Sequence, residues 1–249
     1  MESLRSNAIL RIASVTLFFL IWQVSSLLIN IELLPSPGEV FSKIIEEAKT
    51  KELFFHTFIT LKRVFISFII AMFIGTFFGI YMGRNKNLNV FLDDWLVLGL
   101  NVPALVIIIL CYVWFGLNEV AAILAVSLNK IPMVAVIMRE GARSIENDYV
   151  EVAKFYKINK NKLFFKVILP QLYPYLLSSA RSGLSLIWKI VLVVELLGRS
   201  NGVGFKLYGF FQFFDISGIL AYTLAFVFLI IIIEFIIVRP FENKISVWR

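Results

Sequence analysis

The chain has 249 residues; 59% of them are hydrophobic, 16% are charged, and the net charge is +7. This composition excludes a soluble domain and indicates a polytopic helical membrane protein. One cysteine and one histidine, far apart in the sequence, exclude an internal disulfide and a metal site, and no GxxxxGK[ST] phosphate loop is present.

Six stretches are apolar and long enough to cross a hydrocarbon core, which takes roughly 20 helical residues. We predict spans at residues 9–29, 60–83, 90–115, 118–139, 170–197 and 216–239. The first could be a secretory signal, but its apolar run is long and no small-x-small cleavage site follows, so we interpret it as a retained span. The predicted fold is an all-α membrane protein with about six transmembrane helices.

A short amphipathic helix is predicted after the first span. Ser36 can cap it, Pro37 suits its first turn, and Glu39 can complete a capping box. We expect this helix to lie on the outer membrane surface; docking to an external partner is the alternative. Together with the first span it forms a predicted unit of residues 1–58, and residues 59–249 form the core domain.

The third span contains the sequence Asn101-Val102-Pro103. Proline removes a backbone donor, so a break or a re-entrant bend is predicted there. A simple kink is the favoured interpretation and a gate is the alternative. Asn101 and Pro103 are therefore candidates for the translocation pathway.

The longest charged segment joins the fourth and fifth spans, and we call residues 140–170 the polar loop. We predict a helix capped by Asp148, with Glu151 three residues later. Asn159 and Asn161 then offer a turn, and a second, apolar helix is ended or kinked by Pro170. Such a hairpin suits a groove on a soluble protein; an interfacial helix whose lysines contact anionic lipid is the alternative.

Lysine and arginine set the predicted orientation. If the N-terminus is cytoplasmic, inner segments carry more of these residues than outer segments by about two to one. We therefore predict a multi-pass protein of the cytoplasmic membrane with both termini in the cytoplasm. The polar loop then also faces the cytoplasm.

The polar loop resembles the EAA loop of ABC importer permeases, whose pattern is E-A-A-x3-G-x9-I-x-L-P. Four residues match it at the right spacing: Glu151, Ala153, Leu169 and Pro170. Val167 is a close fit for isoleucine, whereas Val152 replaces an alanine and Lys157 replaces the glycine. Without that glycine, Asn159 and Asn161 are the expected source of the turn.

Other short motifs, in order, resemble the sulfonate/taurine/nitrate-type subfamily: Leu34–Pro37, Leu61–Val64, Trp114–Gly116, Trp188 and Glu195. The resemblance implies a fold like that of type I ABC importer permeases. It also implies a set of residues that couple to the ATPase: Asp148, Glu151, Ala153, Lys154, Lys157, Leu169 and Pro170.

Ionisable side chains occur within the predicted spans, where they usually face a bundle interior or a cavity. The fifth span carries most of them, and we expect Glu195 to be near its outer end and wet. Packing between helices is one interpretation and a pathway lining is the other. Together with the two residues of the third span, the candidates for the translocation pathway are Asn101, Pro103, Arg181, Ser182, Ser185, Trp188, Lys189 and Glu195. A positive interior would suit an anionic solute such as a sulfonate or nitrate.

The predicted function is the membrane-spanning permease subunit of an ATP-driven ABC importer for a small solute, and not an enzyme. The resemblance implies a homodimer in membrane lipid, with ATPase subunits that hold ATP and Mg²⁺ and an external solute-binding protein. No cofactor is expected on this chain, and no nucleic acid is an expected partner. The alternative, a stand-alone secondary transporter or channel, is disfavoured by the short length and the lack of an internal repeat.

Overall fold

The computed structural model describes residues 2–29 and 33–238, and their regular secondary structure is helical. The α-helices are α1 (Glu2–Ile29), α2 (Pro37–Lys49), α3 (Glu52–Arg84), α4 (Lys86–Asn101), α5 (Ala104–Phe115), α6 (Glu119–Arg143), α7 (Asn147–Phe155), α8 (Lys160–Leu163), α9 (Leu169–Gly198), α10 (Val203–Gln212) and α11 (Ile216–Ile233). Two π-helical segments, Phe164–Ile168 and Glu234–Val238, follow α8 and α11.

Several of these helices suit a membrane. By length and composition, α3, α6 and the stretch Ile216–Ile236 are each able to cross it. Helices α4 and α5 are apolar enough together but bent at a short break, as in a broken span or a re-entrant loop, and α1 contributes the shorter apolar helix Ala13–Ile29. The prediction of an all-α membrane protein is confirmed. Residue 239, the predicted end of the sixth span, lies outside the described residues, and α3 runs continuously through the predicted domain boundary after residue 58.

The third span is broken, as one of the two predicted outcomes has it, and not simply kinked as favoured from the sequence. Helices α4 and α5 meet at 97°, because Val102 ends α4 in an extended conformation and Pro103 starts α5 without a backbone donor. An ion pair between Arg139 of α6 and Asp93 fixes α4 to the bundle. The break therefore follows a helix that is anchored to the bundle.

The centre of the bundle is a close contact between α3 and α6. Gly75, Gly79 and Gly83 recur every fourth residue on one side of α3, which is the small-xxx-small spacing that lets membrane helices approach closely. A Cβ atom at Gly79 would lie 2.5 Å from the backbone oxygen of Ala135. No side chain larger than hydrogen fits there, so this seam fixes how α3 and α6 cross.

The capping box predicted at the start of α2 is confirmed. The Glu39 amide donates to Ser36 Oγ at 3.3 Å, and the Ser36 amide donates to the Glu39 carboxylate at 2.9 Å. Helix α2 packs its buried Val40 toward the bundle, and Glu47 accepts a hydrogen bond of 2.8 Å from the Tyr222 hydroxyl of α11. Phe41 and other apolar residues on the opposite side stay exposed.

The apolar helix of the polar loop does not end at Pro170. It continues from α8 through the π-helical segment into the 30-residue α9, and Pro170 lies in the first turn of α9. The amide of Leu169 bonds to the oxygen of Phe164, five residues back, which is the π-type spacing. The prediction was that Pro170 ends or kinks this helix; the helix does not end there, and an irregular turn directly precedes the proline.

Candidate functional sites: the polar loop, the polar face of α9 and a buried ion network

Helix α7 forms the tip of the polar loop. It begins at Asn147, so Asp148 lies in its first turn and is not the capping residue that the sequence predicted. Its carboxylate still complements the positive end of the helix dipole. Glu151 is exposed one turn later, and of Lys154 the structure describes the backbone but not the side chain.

Helix α7 presents two different apolar surfaces. Val150 and Ala153 are buried against the bundle, with 4% and 3% of their surface exposed. Four other side chains point outward and stay exposed: Tyr149, Val152, Phe155 and Tyr156. Ala153 therefore packs inward, and Val152, which replaces an alanine of the pattern, belongs to the outward surface.

Lys157 makes the turn after α7. Its φ of +50° lies in the left-handed region, and the amide of Ile158 donates to the oxygen of Ala153 at 3.0 Å. This is the Schellman arrangement, whose left-handed position is usually glycine. Asn159 instead caps α8, accepting from the Asn161 amide at 3.2 Å. The prediction that these asparagines replace the missing glycine is wrong, because Lys157 adopts the glycine conformation itself.

Replacing Lys157 with glycine is expected to stabilise this turn by about 1 kcal/mol, since a left-handed non-glycine residue costs about 1–2 kcal/mol and glycine loses part of that gain in backbone entropy. Amide hydrogen exchange at residues 156–159 should become slower. Lys160→Gly within α8 is the matched control and should accelerate exchange. Equal exchange in both variants would contradict the assignment.

The base of the polar loop is tied to two long helices. The Gln171 side chain of α9 accepts from the Glu146 amide at 2.9 Å and donates to the Val167 oxygen at 3.0 Å. Arg84 at the end of α3 contacts Asn147 at 3.4 Å. Leu169 is half-buried and Pro170 exposed at the same junction. A force on α7 would therefore act directly on α3 and α9.

One side of α9 is both polar and exposed. Its residues, which we call the polar face, are three or four positions apart and exposed: Ser178, Arg181, Ser185 and Lys189. Arg181 lies 3.5 Å from Glu234 in the π-helical segment after α11. Ser182 is half-buried beside this face. The sequence predicted three of these four residues as pathway candidates, and the structure places them along one line.

Three other pathway candidates lie elsewhere. Trp188 is buried and packs edge-on against Phe226, with ring centroids 5.8 Å apart. Asn101 is exposed, and its amide donates to the Val97 oxygen of its own helix at 2.7 Å; Pro103 is exposed at the start of α5. The break that Asn101 and Pro103 form joins α4 to α5, whereas the polar face is on α9.

The sequence predicted that Glu195 contacts water, and this prediction is wrong. The side chain is fully buried, with 0% exposure. It belongs to a cluster that we call the buried network: Thr60, Arg63, Glu119, Glu195 and Asn201. Arg63 donates to the Glu195 carboxylate at 2.7 Å and to both oxygens of Glu119 at 2.9 and 2.8 Å. Its remaining donors reach the backbone oxygen of Asn201 at 2.8 Å and its side-chain oxygen at 2.5 Å. All five guanidinium donors are thus used.

The turn before α10 completes the buried network. Gly202 has a φ of +109°, and a Cβ atom there would lie 2.3 Å from the Glu195 carboxyl carbon. Gly204 donates its amide to Glu195 at 2.9 Å, and Thr60 donates its hydroxyl to the same carboxylate at 2.9 Å. Carboxylates at helix N-termini are favoured by the backbone amides and the helix dipole. The sequence interpretation missed this cluster, although the Gly-x-Gly sequence after α9 was a visible signal.

The residues described contain no group of three or more His, Cys, Asp or Glu side chains arranged for a metal ion. A model of the family described as "Binding-protein-dependent transport system inner membrane component" matches residues 72–245. The chain belongs to this family.

Curated relatives agree with that membership. The chain is 30% identical over 231 residues to the putative aliphatic sulfonates transport permease protein SsuC of Bacillus subtilis (strain 168), covering 92% of this chain and 83% of that protein. It is 26% identical to the taurine transport system permease protein TauC of Escherichia coli (strain K12), covering 92% and 85%. It is 29% identical to the bicarbonate transport system permease protein CmpB of Synechococcus elongatus, covering 82% and 77%.

Solved structures show the same fold. A structure of the MetNI methionine ABC transporter in an inward facing conformation superposes with a TM-score of 0.63 at 17% identity, covering 76% of this chain and 92% of that one. An amino acid ABC transporter crystallised with histidines gives a TM-score of 0.58 at 20% identity, covering 82% and 96%. The predicted likeness to ABC importer permeases is confirmed.

Membership settles the class of function. This family member is a multi-pass inner-membrane permease of a binding-protein-dependent importer. The predictions of a permease, and of a transport component in place of an enzyme, are confirmed. This membership disfavours the alternative of a stand-alone secondary transporter, because the family is described as a component of binding-protein-dependent transport systems.

Proposed function

We propose that this permease imports a small anionic solute through a homodimer in which the polar faces of two copies line the pathway. The polar face carries the proposal. It places Lys189, and Arg181 with its partner Glu234, on an exposed helix surface. Charged side chains at membrane depth face a cavity or a partner and avoid lipid. A second copy of α9 supplies that partner and leaves a positively charged lining between the two.

The relatives support an anionic solute. Aliphatic sulfonates and bicarbonate, which two of the relatives transport according to their names, carry negatively charged oxygen groups, and taurine carries a sulfonate. Such groups accept hydrogen bonds from arginine, lysine and serine side chains. Those side-chain types make up the polar face. The solute is therefore proposed to be a small oxoanion or an organic anion with such a head group.

The outward surface of α7 is proposed to dock into an ATPase subunit that binds ATP and Mg²⁺. Tyr149, Val152, Phe155 and Tyr156 are exposed there, and Phe155 exposes 82% of its surface. Large apolar side chains presented by a short helix suit a groove on a soluble partner. Glu151 and Lys157 flank this surface. The contacts of Gln171 and Arg84 then pass the movement of the ATPase to α9 and α3.

Single cysteines test this arrangement, because Cys111 is the only native cysteine and Cys111→Ala gives a cysteine-free background. Ser185→Cys in the polar face should form a cross-linked dimer with a short bifunctional maleimide. Phe73→Cys on α3, where the native side chain is 75% exposed, is the control and should not. Asn161→Cys in the polar loop should be labelled only after cells are opened.

Two results would contradict the proposal. Equal cross-linking through residues 73 and 185 would show that the polar faces do not meet specifically. Labelling of residue 161 in intact cells would place the polar loop outside the cytoplasm, where an ATPase cannot reach it.

A further inference from the structure

Helix α6 carries a buried cation at mid-membrane depth. Lys130 lies near the middle of this 25-residue helix, roughly 16 Å or more from either end at 1.5 Å per residue. Only 2% of its surface is exposed. The centre of a bilayer is the most costly place for a charge, so a lysine there needs a specific reason.

The groups that contact the Lys130 ammonium do not balance its positive charge. Its Nζ donates to the backbone oxygen of Ser182 at 3.3 Å and lies 2.7 Å from the sulfur of Met133. No carboxylate among the described residues forms an ion pair with it. An ammonium has three donors, and a thioether is a weak acceptor. At least one donor is therefore left without an acceptor.

Arg63 shows how the same bundle treats a structural cation. It contacts two carboxylates and has an acceptor for every donor. Lys130 is equally buried but has only one carbonyl and one sulfur atom. A buried cation that serves packing is normally paired. The contrast indicates that the counter-charge of Lys130 is not part of the described chain.

The ammonium of Lys130 lies beside the polar face, because Lys130 Nζ and Ser185 Oγ donate to the same backbone oxygen of Ser182, at 3.3 and 3.1 Å. Ser182, which accepts its hydrogen bond, is the neighbour of Arg181 and lies one turn before Ser185. Beside it, a Cβ atom at Gly183 would be 3.5 Å from Lys130 Cε, so the lysine stem runs along the smallest residue of α9. The flexible four-carbon stem leaves the ammonium free to turn toward the polar face.

We propose that Lys130 is a solute-binding residue, whose ammonium supplies a counter-charge to the anion as it passes the polar face at mid-membrane depth. This inference rests on the proposed function, since it requires an anionic solute. An anionic oxygen of the solute would accept a hydrogen bond from the N–H group of Lys130 that is not used by Ser182 or Met133. Lys130 then adds a third cation to Arg181 and Lys189, from a different helix.

Lys130→Met separates this role from a structural one. Methionine fills similar space without charge, so removing an unpaired buried cation should leave the melting temperature unchanged or raise it by roughly 2–5 °C. Uptake should suffer, with the apparent KM for the anion rising about 10- to 100-fold, as expected for a lost charge-assisted hydrogen bond. The probes are labelled ethanesulfonate, taurine, nitrate and bicarbonate, offered to cells that carry the permease with its ATPase and solute-binding partners.

Thr76→Val is the matched control. The Thr76 hydroxyl is buried and has no hydrogen-bond partner among the described residues, so its removal should also be neutral or stabilising, but uptake should stay normal. A melting temperature lowered by Lys130→Met would show a structural role and overturn the inference. An unchanged KM for an anion that the wild type imports would overturn this inference and leave the proposed function standing. If the wild type imports none of the four probes, the anionic substrate of the proposed function fails, and this inference fails with it.

Discussion

Replacing Arg63 with methionine is expected to destabilise the permease by about 3–5 kcal/mol, the usual cost of removing one partner from a buried ion pair. The variant would leave the fully buried Glu195 without its guanidinium and would also remove the contact to Glu119. The carboxylate keeps only the Thr60 hydroxyl and the Gly204 amide. Thermal unfolding of the purified protein in detergent measures the effect.

The neighbouring residue gives the control. Lys62 is exposed at the surface, so Lys62→Met should change stability by less than about 0.5 kcal/mol. The double variant Arg63→Met, Glu195→Gln should recover much of the loss, because it removes the buried negative charge as well. Glu119 would still be paired with Arg199 at 3.1 Å. Equal losses from Lys62→Met and Arg63→Met would refute the importance of the buried network.

Charge removal on the polar face is expected to impair transport without impairing folding. Arg181→Gln and Lys189→Gln should each raise the apparent KM for a transported probe anion about 10- to 100-fold, because each loses one charge-assisted contact. Protein amounts in the membrane should stay equal, since both side chains are exposed on the single chain. Initial rates of labelled anion uptake provide the measurement.

Conservative and distant changes complete this test. Lys189→Arg keeps the charge and should retain most uptake, whereas Lys49→Gln removes an exposed charge from α2 and should have no effect. If Arg181→Gln and Lys189→Gln both transport normally, the polar face does not contact the anion. If all variants, including Lys49→Gln, lose uptake together, the loss reflects the net charge of the protein and not contact between the polar face and the anion.

Features encoded within a few residues were predicted well. The capping box of Ser36 and Glu39 depends on neighbours three residues apart, and the break at Pro103 follows from one missing donor. The helical hairpin of the polar loop also follows from local periodicity. In each case the signal and the structure it specifies share the same short segment, so the sequence alone suffices.

Features that depend on distant partners were missed. Arg63 and Glu195 are 132 residues apart, and each alone resembled a charge at a membrane surface. Only the packing of α3 against α9 shows that they neutralise each other. The same holds for Trp188, whose buried position depends on Phe226 of another helix. Lys157 differs, because its left-handed backbone is imposed on a residue type that rarely adopts it.

The buried network also constrains biogenesis. Arg63 leaves the ribosome 56 residues before Glu119 and 132 residues before Glu195. At 5–20 residues per second, the guanidinium waits roughly 3–11 s for its first carboxylate and longer for the second. The insertion machinery must therefore shelter the second span, or hold it at the water interface, until later spans are synthesised. Translation speed between residues 63 and 119 thus becomes a determinant of correct membrane assembly.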